Sequence, residues 1–168
     1  MSSIVKLVAA AGLLALTAAP ALAQDVVTGP AKVVDGDIIM VDKQRVILWG
    51  VDAPERTQKC KVGNLDWACY EAARRGLGEI IGSGEASCTL TDDKPDQFNR
   101  RYGVCTSAGK DVGGEMVRLG YARAYAEQAP DYLPQEEEAK AAKVGIFQDG
   151  ADVIDPWEWR KRDPRNYR

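Results

Sequence analysis

Between residues 33 and 56, two apolar runs flank the polar link Asp42-Lys43-Gln44. Both runs are rich in β-branched residues, which suit a pleated, half-buried surface, so the segment predicts an antiparallel hairpin. Residues 26–32 lead into it and can add a strand. Residues 56–66 are polar and without periodicity, which predicts a loop. From residue 67 the period changes. Trp67, Tyr70, Leu77 and Ile81 recur at helical spacing, with Glu71, Arg74, Arg75 and Glu79 elsewhere, predicting a helix over 67–81 that Gly82-Ser83-Gly84 stops. Strands are expected at 86–91 and 100–107, on either side of a polar loop containing Pro95. Asp111 is placed to cap a helix over 112–119, with Gly113 and Gly114 weakening its start and Gly120 ending it. Pro134 opens a last helix that ends near Gly145, with Glu136, Glu137 and Glu138 in its first turn, where the dipole favours acids. Five strands with an interposed helix fit an α+β architecture: a five-stranded OB-fold Greek-key β-barrel with about three α-helices.

Length adds an organisation to this pattern. The chain of 168 residues suits one domain. Residues 1–23 stand outside it: Lys6 precedes an apolar run, and Ala21-Leu22-Ala23 is a small-residue cleavage site before Gln24. That is the form of a secretory signal peptide, cut after Ala23, and its apolar run is too short to favour a membrane anchor. The expected product is periplasmic or secreted, with no membrane span, no obligate protein partner and a monomeric state. Beyond residue 154 comes an aromatic and basic tail, Pro156-Trp157-Glu158-Trp159-Arg160-Lys161-Arg162. Its tryptophans are expected to pack back on the domain and its charges to form a solvated tail.

Composition then removes possibilities. The chain has no histidine, which excludes Ser-His-Asp chemistry and any imidazole base or ligand. Catalysis must rest on carboxylates, arginines, lysines, tyrosines or a metal. Four cysteines suit an oxidising compartment. Of the three pairings four cysteines allow, Cys60–Cys69 closes a short loop and Cys88–Cys105 bridges two predicted strands, and this one is favoured. The formal charge of −3 becomes −4 when the signal segment is removed. That balance argues against tight non-specific nucleic-acid binding over the whole surface and leaves room for a local basic cleft.

The chemistry concentrates at the ends of the hairpin. Asp35 and Asp37 open its first strand, and Asp52 and Glu55 close its second. Antiparallel pairing brings Asp37 beside Asp52, with Glu55 close by. Three carboxylates at one strand end repel one another, and a hard cation such as calcium relieves this with oxygen ligands. The plainer reading of Asp35-Gly36-Asp37 is turn chemistry. Pro54 holds Ala53 extended, so Asp52 and Glu55 project from a stiff corner.

Asp35-Gly36-Asp37, then Gly50-Val51-Asp52-Ala53-Pro54-Glu55, and then Asp96-Gln97-Phe98-Asn99-Arg100 resemble, in order and spacing, the thermonuclease (staphylococcal nuclease-like) family. The resemblance implies an OB-barrel domain over 24–154, with 155–168 as the tail. It implies calcium (Ca2+) held by Asp37, Asp52 and the carbonyl of Ala53, Glu55 as general base, and Arg100 as the phosphate-binding arginine. The substrate it implies is single-stranded DNA or RNA, hydrolysed at its phosphodiester bonds. Tyr125 lies near where the family presents tyrosines to the nucleotide.

Four positions depart from the family. Ile47 stands where the resemblance expects a second phosphate-binding arginine, five residues before Asp52, and Ile38 stands where many members have threonine. Arg45 lies on the same strand face as Ile47, roughly 7 Å along it, and is the candidate replacement; its plainer reading is a surface arginine, as is that of Arg101. Phe98 and Asn99 replace the family's tyrosine and glycine, and asparagine tolerates the left-handed turn. The retained acids and Arg100 favour the enzyme. Ile47 and the acidic surface favour the alternative, a catalytically inactive nucleic-acid-binding or envelope interaction module of the same fold.

Overall fold

The computed structural model describes residues 25–82, 84–92, 94–163 and 165. The expected signal segment, residues 1–23, lies outside the described residues. The expected hairpin is present. β2 (Ile38–Val41) pairs antiparallel with β3 (Gln44–Leu48), through a two-residue turn in which Asp42 takes a left-handed φ of 53°. β1 (Val26–Val33) flanks β2, and β7 (Glu85–Leu90) joins β1 to β8 (Arg100–Ser107). β8 then closes the sheet by pairing parallel with β3. The barrel order is therefore β1-β2-β3-β8-β7 and back to β1, a closed five-stranded barrel of OB type.

Alternation decides what fills it. Ile39, Val41, Val46 and Leu48 point inward, and α1 (Cys69–Ile81) adds Ala73, Leu77 and Ile81 to the same cluster. Ile38 and Ile47 are also buried, at 6% and 2% exposure, but on the opposite strand face and outside that cluster. α2 (Val112–Arg118) contributes Met116 and Val117, and Asp111 caps it through the amide of Gly114 at 2.9 Å. The disulfide Cys88–Cys105 bridges β7 and β8 inside the core. Cys60–Cys69 forms as well.

Three expectations need correction. Residues 56–66 are not all loop: β5 (Cys60–Val62) and β6 (Leu65–Trp67) form a small hairpin that β11 (Ala151–Asp152) extends. Trp67 ends that hairpin instead of starting α1. Arg101 is not a surface charge: it is 9% exposed and pairs with Asp25 and Asp92. Four α-helices occur among the described residues, in keeping with the expected α+β barrel with about three. After α3 (Leu133–Ala142), the tail forms α4 (Pro156–Arg162), with Pro156 at its first turn.

Candidate active site

The acids meet because glycines let two segments close on them. Gly50, with a φ of 75°, turns the chain from β3 into β4 (Val51–Asp52). β4 pairs with β10 (Arg123–Ala124), placing Asp52 opposite Arg123. Gly36 serves close approach: a Cβ there would lie 2.9 Å from the Cβ of Ala53. The Asp-Gly pair is thus a packing requirement at the site. With that approach, Oδ2 of Asp37 accepts the amide of Ala53 at 3.1 Å, and the carbonyl of Asp37 accepts the amide of Leu48 at 2.9 Å. Asp37 and Asp52 are each 1% exposed and Glu55 is 8% exposed.

Glu55 stands at a braced corner. Its amide donates to Oε1 of Gln58 at 3.0 Å, and its carbonyl accepts the amide of Gln58 at 2.8 Å. Nε2 of Gln58 in turn donates to the carbonyl of Ile154 at 2.6 Å. That last bond ties the corner to the segment leading into α4.

The cation that meets these acids is Arg160. Its Nη1 donates to Oδ1 of Asp52 at 2.8 Å and to Oε1 of Glu55 at 2.6 Å, and its Nη2 donates to Oδ2 of Asp52 at 2.6 Å. Both oxygens of Asp52 are engaged by one planar fork, the geometry that makes arginine–carboxylate pairs strong and directional. Several contacts hold α4 in place. The Trp159 indole donates to Thr57, the Thr57 hydroxyl donates to Asp163, and Trp157 stacks on Tyr125 with ring centroids 5.3 Å apart. Lys161 and Arg162 are exposed, as a solvated tail requires, but Arg160 is not part of one. Sequence reasoning missed Arg160 and Gln58. The available signal was the three acids themselves, which demand a cation, together with Pro156 and Glu158 marking a helix start under the basic run.

Arg100 keeps the turn expected for it. Asn99 is left-handed at a φ of 57°. Oδ1 of Asp96 accepts the amides of Phe98 and Arg100 at 2.8 and 2.9 Å, and Nε of Arg100 donates to Oδ2 of Asp96 at 2.7 Å. Burial works against the Asp96 charge, but these Arg100 and backbone donors outweigh it and leave the carboxyl below its usual pKa. The guanidinium also lies over the Phe98 ring, 4.9 Å from its centroid. Arg45 is exposed and sits in register with Arg100 on the neighbouring strand. Tyr125 is half-buried. Burial raises its pKa first, then the Glu127 carboxylate that accepts from its hydroxyl at 3.2 Å, then the charge of Asp52.

The structure thus brings Asp37, Ala53, Asp52 and Glu55 together and sets Tyr125 within electrostatic reach of Asp52. It holds Arg100 on Asp96, two register positions along β8 from the partner of Ile47. Buried carboxylate oxygens and a backbone carbonyl are hard donors of the kind calcium takes. Among the described residues, no group of three or more Cys, Asp or Glu side chains is arranged to hold a metal ion by itself. A cation here would rest on Asp37 and Asp52, with carbonyl, water or substrate oxygens completing its shell.

A family model described as staphylococcal nuclease homologue matches residues 45–149. Protein ParB of Escherichia coli is 32% identical over 173 residues, covering 87% of this chain and 90% of that protein. A probable staphylococcal-like nuclease of rice (Oryza sativa subsp. japonica) is 30% identical over 135 residues, 79% of this chain, which spans 32% of the rice protein. An uncharacterized endonuclease of Haemophilus influenzae is 26% identical over 142 residues, covering 80% of this chain and 73% of that protein.

Proposed function

This chain belongs to the staphylococcal nuclease homologue family, a nuclease family acting on nucleic acid, and we propose that it is an exported, calcium-dependent nuclease with Glu55 as its general base. The observation that carries the reading is the braced acidic corner: Asp37, Asp52 and Glu55 buried together, with Gln58 fixing the backbone of Glu55. Export rests on the signal-like residues 1–23 and on two disulfides, which persist in oxidising compartments. No helix among the described residues is long and apolar enough to cross a membrane.

Hydrolysis of a phosphodiester needs an activated water, an electrophilic phosphorus and a place for negative charge. Glu55 accepts the proton of the attacking water, and its fixed backbone limits where the carboxylate can reach. Asp37, Asp52 and the carbonyl of Ala53 would hold calcium, which when bound neutralises phosphate charge and orients the water. Arg100, pre-set by Asp96, offers the guanidinium that meets the phosphate as its charge grows. Arg45, beside it in register, is the second cation on that strand face. Tyr125 presents a half-buried ring to the nucleotide, with Trp157 stacked against it.

A second reading keeps its own observation. Ile47 is buried at 2% exposure where the family arginine is expected, which favours a binding module that has lost turnover. One experiment separates the two: hydrolysis of single-stranded DNA by the purified protein in calcium and in EDTA, with Glu55→Ala as control. The enzyme reading expects calcium-dependent cleavage and a loss of about 10²–10⁴-fold in the control. Cleavage equal in EDTA, or unchanged in Glu55→Ala, overturns it. No cleavage together with a salt-sensitive gel shift in EDTA establishes the binding module instead.

A further inference from the structure

Arg160 occupies Asp52 in the manner of a resident cation. The fork takes both oxygens of Asp52 and one of Glu55, so its Nη1 donors are both spent on protein carboxylates. It does so from a helix that is firmly seated. Thr57, Tyr125 and Gln58 each bond or stack with α4 or the irregular segment before it, and Arg123 pairs with Asp155 at the helix start, 2.8 Å apart. The same Asp52 is the carboxylate shared between the acidic corner and the proposed calcium shell. A guanidinium and a divalent ion on one carboxylate repel each other at a separation of a few ångströms. Even with bulk-water screening, charges of one and two at about 5 Å disfavour joint occupancy by more than about tenfold.

We propose that Arg160 and a divalent cation compete for Asp52, so that the C-terminal helix sets the metal affinity of the acidic corner. This rests on the reading of Asp37 and Asp52 as metal ligands and goes beyond it, because it assigns a role to a residue on α4. When the ion binds, one or both Arg160 bonds to Asp52 must break. When it leaves, Arg160 neutralises the corner and keeps the buried carboxylates in place. Arg160 is in this sense a positioning residue, acting on the site through Asp52 and Glu55.

The test is a calcium titration of the purified protein by calorimetry, comparing the unaltered chain with Arg160→Gln and Arg160→Lys, and with circular dichroism as the check on folding. The expected result is a calcium dissociation constant at least about tenfold lower in Arg160→Gln. Arg160→Lys, which keeps the charge but loses the fork, is expected between the two. A purely structural role predicts the reverse, since a loosened corner binds calcium more weakly. Equal or weaker binding in folded Arg160→Gln overturns the proposal, as does no calcium binding by any of the three proteins. If Arg160→Gln fails to fold, Arg160→Lys decides alone: tighter binding than the unaltered chain supports competition, and unchanged or weaker binding sinks it. DNA hydrolysis by the unaltered protein is read separately. Tightened calcium binding without hydrolysis therefore fails only the nuclease reading, and hydrolysis with unchanged calcium binding fails only the competition.

Discussion

The two halves of the acidic corner reach it by different physical routes. The carboxylates sit at the ends of paired strands: Asp37 directly precedes β2, Asp52 ends β4 and Glu55 follows it three residues on, and ladder hydrogen bonds with the tight Gly36–Ala53 contact fix them. The guanidinium rides on a seven-residue helix near the far end of the chain, 108 residues from Asp52. A helix that short is not stable by itself, since isolated helices below about 12–15 residues are marginal in water. It exists because Thr57, Tyr125 and Gln58 seat it or the segment leading into it. Backbone pairing thus builds one half, and side-chain docking builds the other.

Removing the point where the halves join should have the largest effect. Arg160 is 17% exposed at its side chain and Asp52 1%, so breaking this pair from one side leaves a buried carboxylate without its fork. Arg160→Gln is expected to lower stability by about 3–5 kcal/mol. Adding Asp52→Asn to the same chain should recover part of that, because the uncompensated charge is gone. Urea unfolding of the two single variants and the double variant measures the coupling. Costs that simply add would show that the halves are energetically independent, and the comparison would break.

The disulfides sharpen the same contrast at a somewhat smaller scale. Cys88–Cys105 closes 17 residues within the barrel, and Cys60–Cys69 closes 9 between the small hairpin and α1. Loop entropy alone gives about 3 kcal/mol for the first and about 2.6 kcal/mol for the second. Their consequences should differ more than their energies. Replacing Cys88 and Cys105 by serine is expected to lower the melting temperature and leave hydrolysis by the remaining folded protein unchanged. Replacing Cys60 and Cys69 loosens the strand that follows Gln58, and hydrolysis should fall at temperatures where the chain is still folded. Equal loss of activity per folded molecule in both variants would count against the corner depending on that hairpin.

What could be read from the chain follows the same division. The hairpin, the strand at residues 100–107 and the cap at Asp111 were legible because strands and capped helices print a period or a residue type on the sequence. Antiparallel pairing alone does not join Asp37 to Asp52: the register sets Asp37 opposite Leu48, and it is the Gly50 turn and the close Gly36–Ala53 approach that bring the Asp52 segment in, with the contact running through the Ala53 amide. The β5–β6 hairpin was not legible: its strands are three residues each, too short for alternation to stand out among polar neighbours. Arg101 looked like a surface charge because its partners, Asp25 and Asp92, lie on segments whose approach only the closed sheet reveals. Arg160 was hidden for the same reason, inside a basic run whose other members are solvated.

Ile47 tests the barrel half from inside. It faces away from the main core yet is 2% exposed, opposite Ile38 and in register with Tyr102. Adding an arginine there should raise activity if a missing donor limits the site. The burial argues otherwise: Ile47→Arg overfills the space and is expected to cost about 1–3 kcal/mol. An arginine forced into that buried position is not expected to reach the phosphate, so hydrolysis should not rise. Increased hydrolysis in a chain of unchanged stability would place Ile47 at the phosphate and return the site to the family pattern.

Thr57 tests the docked half with the smallest expected effect. Its hydroxyl donates to Oδ2 of Asp163 at 2.7 Å and accepts the Trp159 indole at 3.3 Å, so one side chain links the corner to both ends of the last turn of α4. Thr57→Ala should cost about 1 kcal/mol, the ordinary net worth of a hydrogen bond. The same variant has a pH signature. Arg165 first, and Thr57 next, hold the Asp163 carboxyl well below the usual carboxylate range. A depressed pKa in the folded chain stabilises above the unfolded value near 4, and that contribution is lost as pH falls below it. Thr57→Ala removes one of the two named causes, so its stability should decline less steeply with acid than that of the unaltered chain. Parallel acid limbs in the two proteins would mean that Thr57 contributes little to the shift of Asp163, and that its link to α4 is a contact without thermodynamic weight.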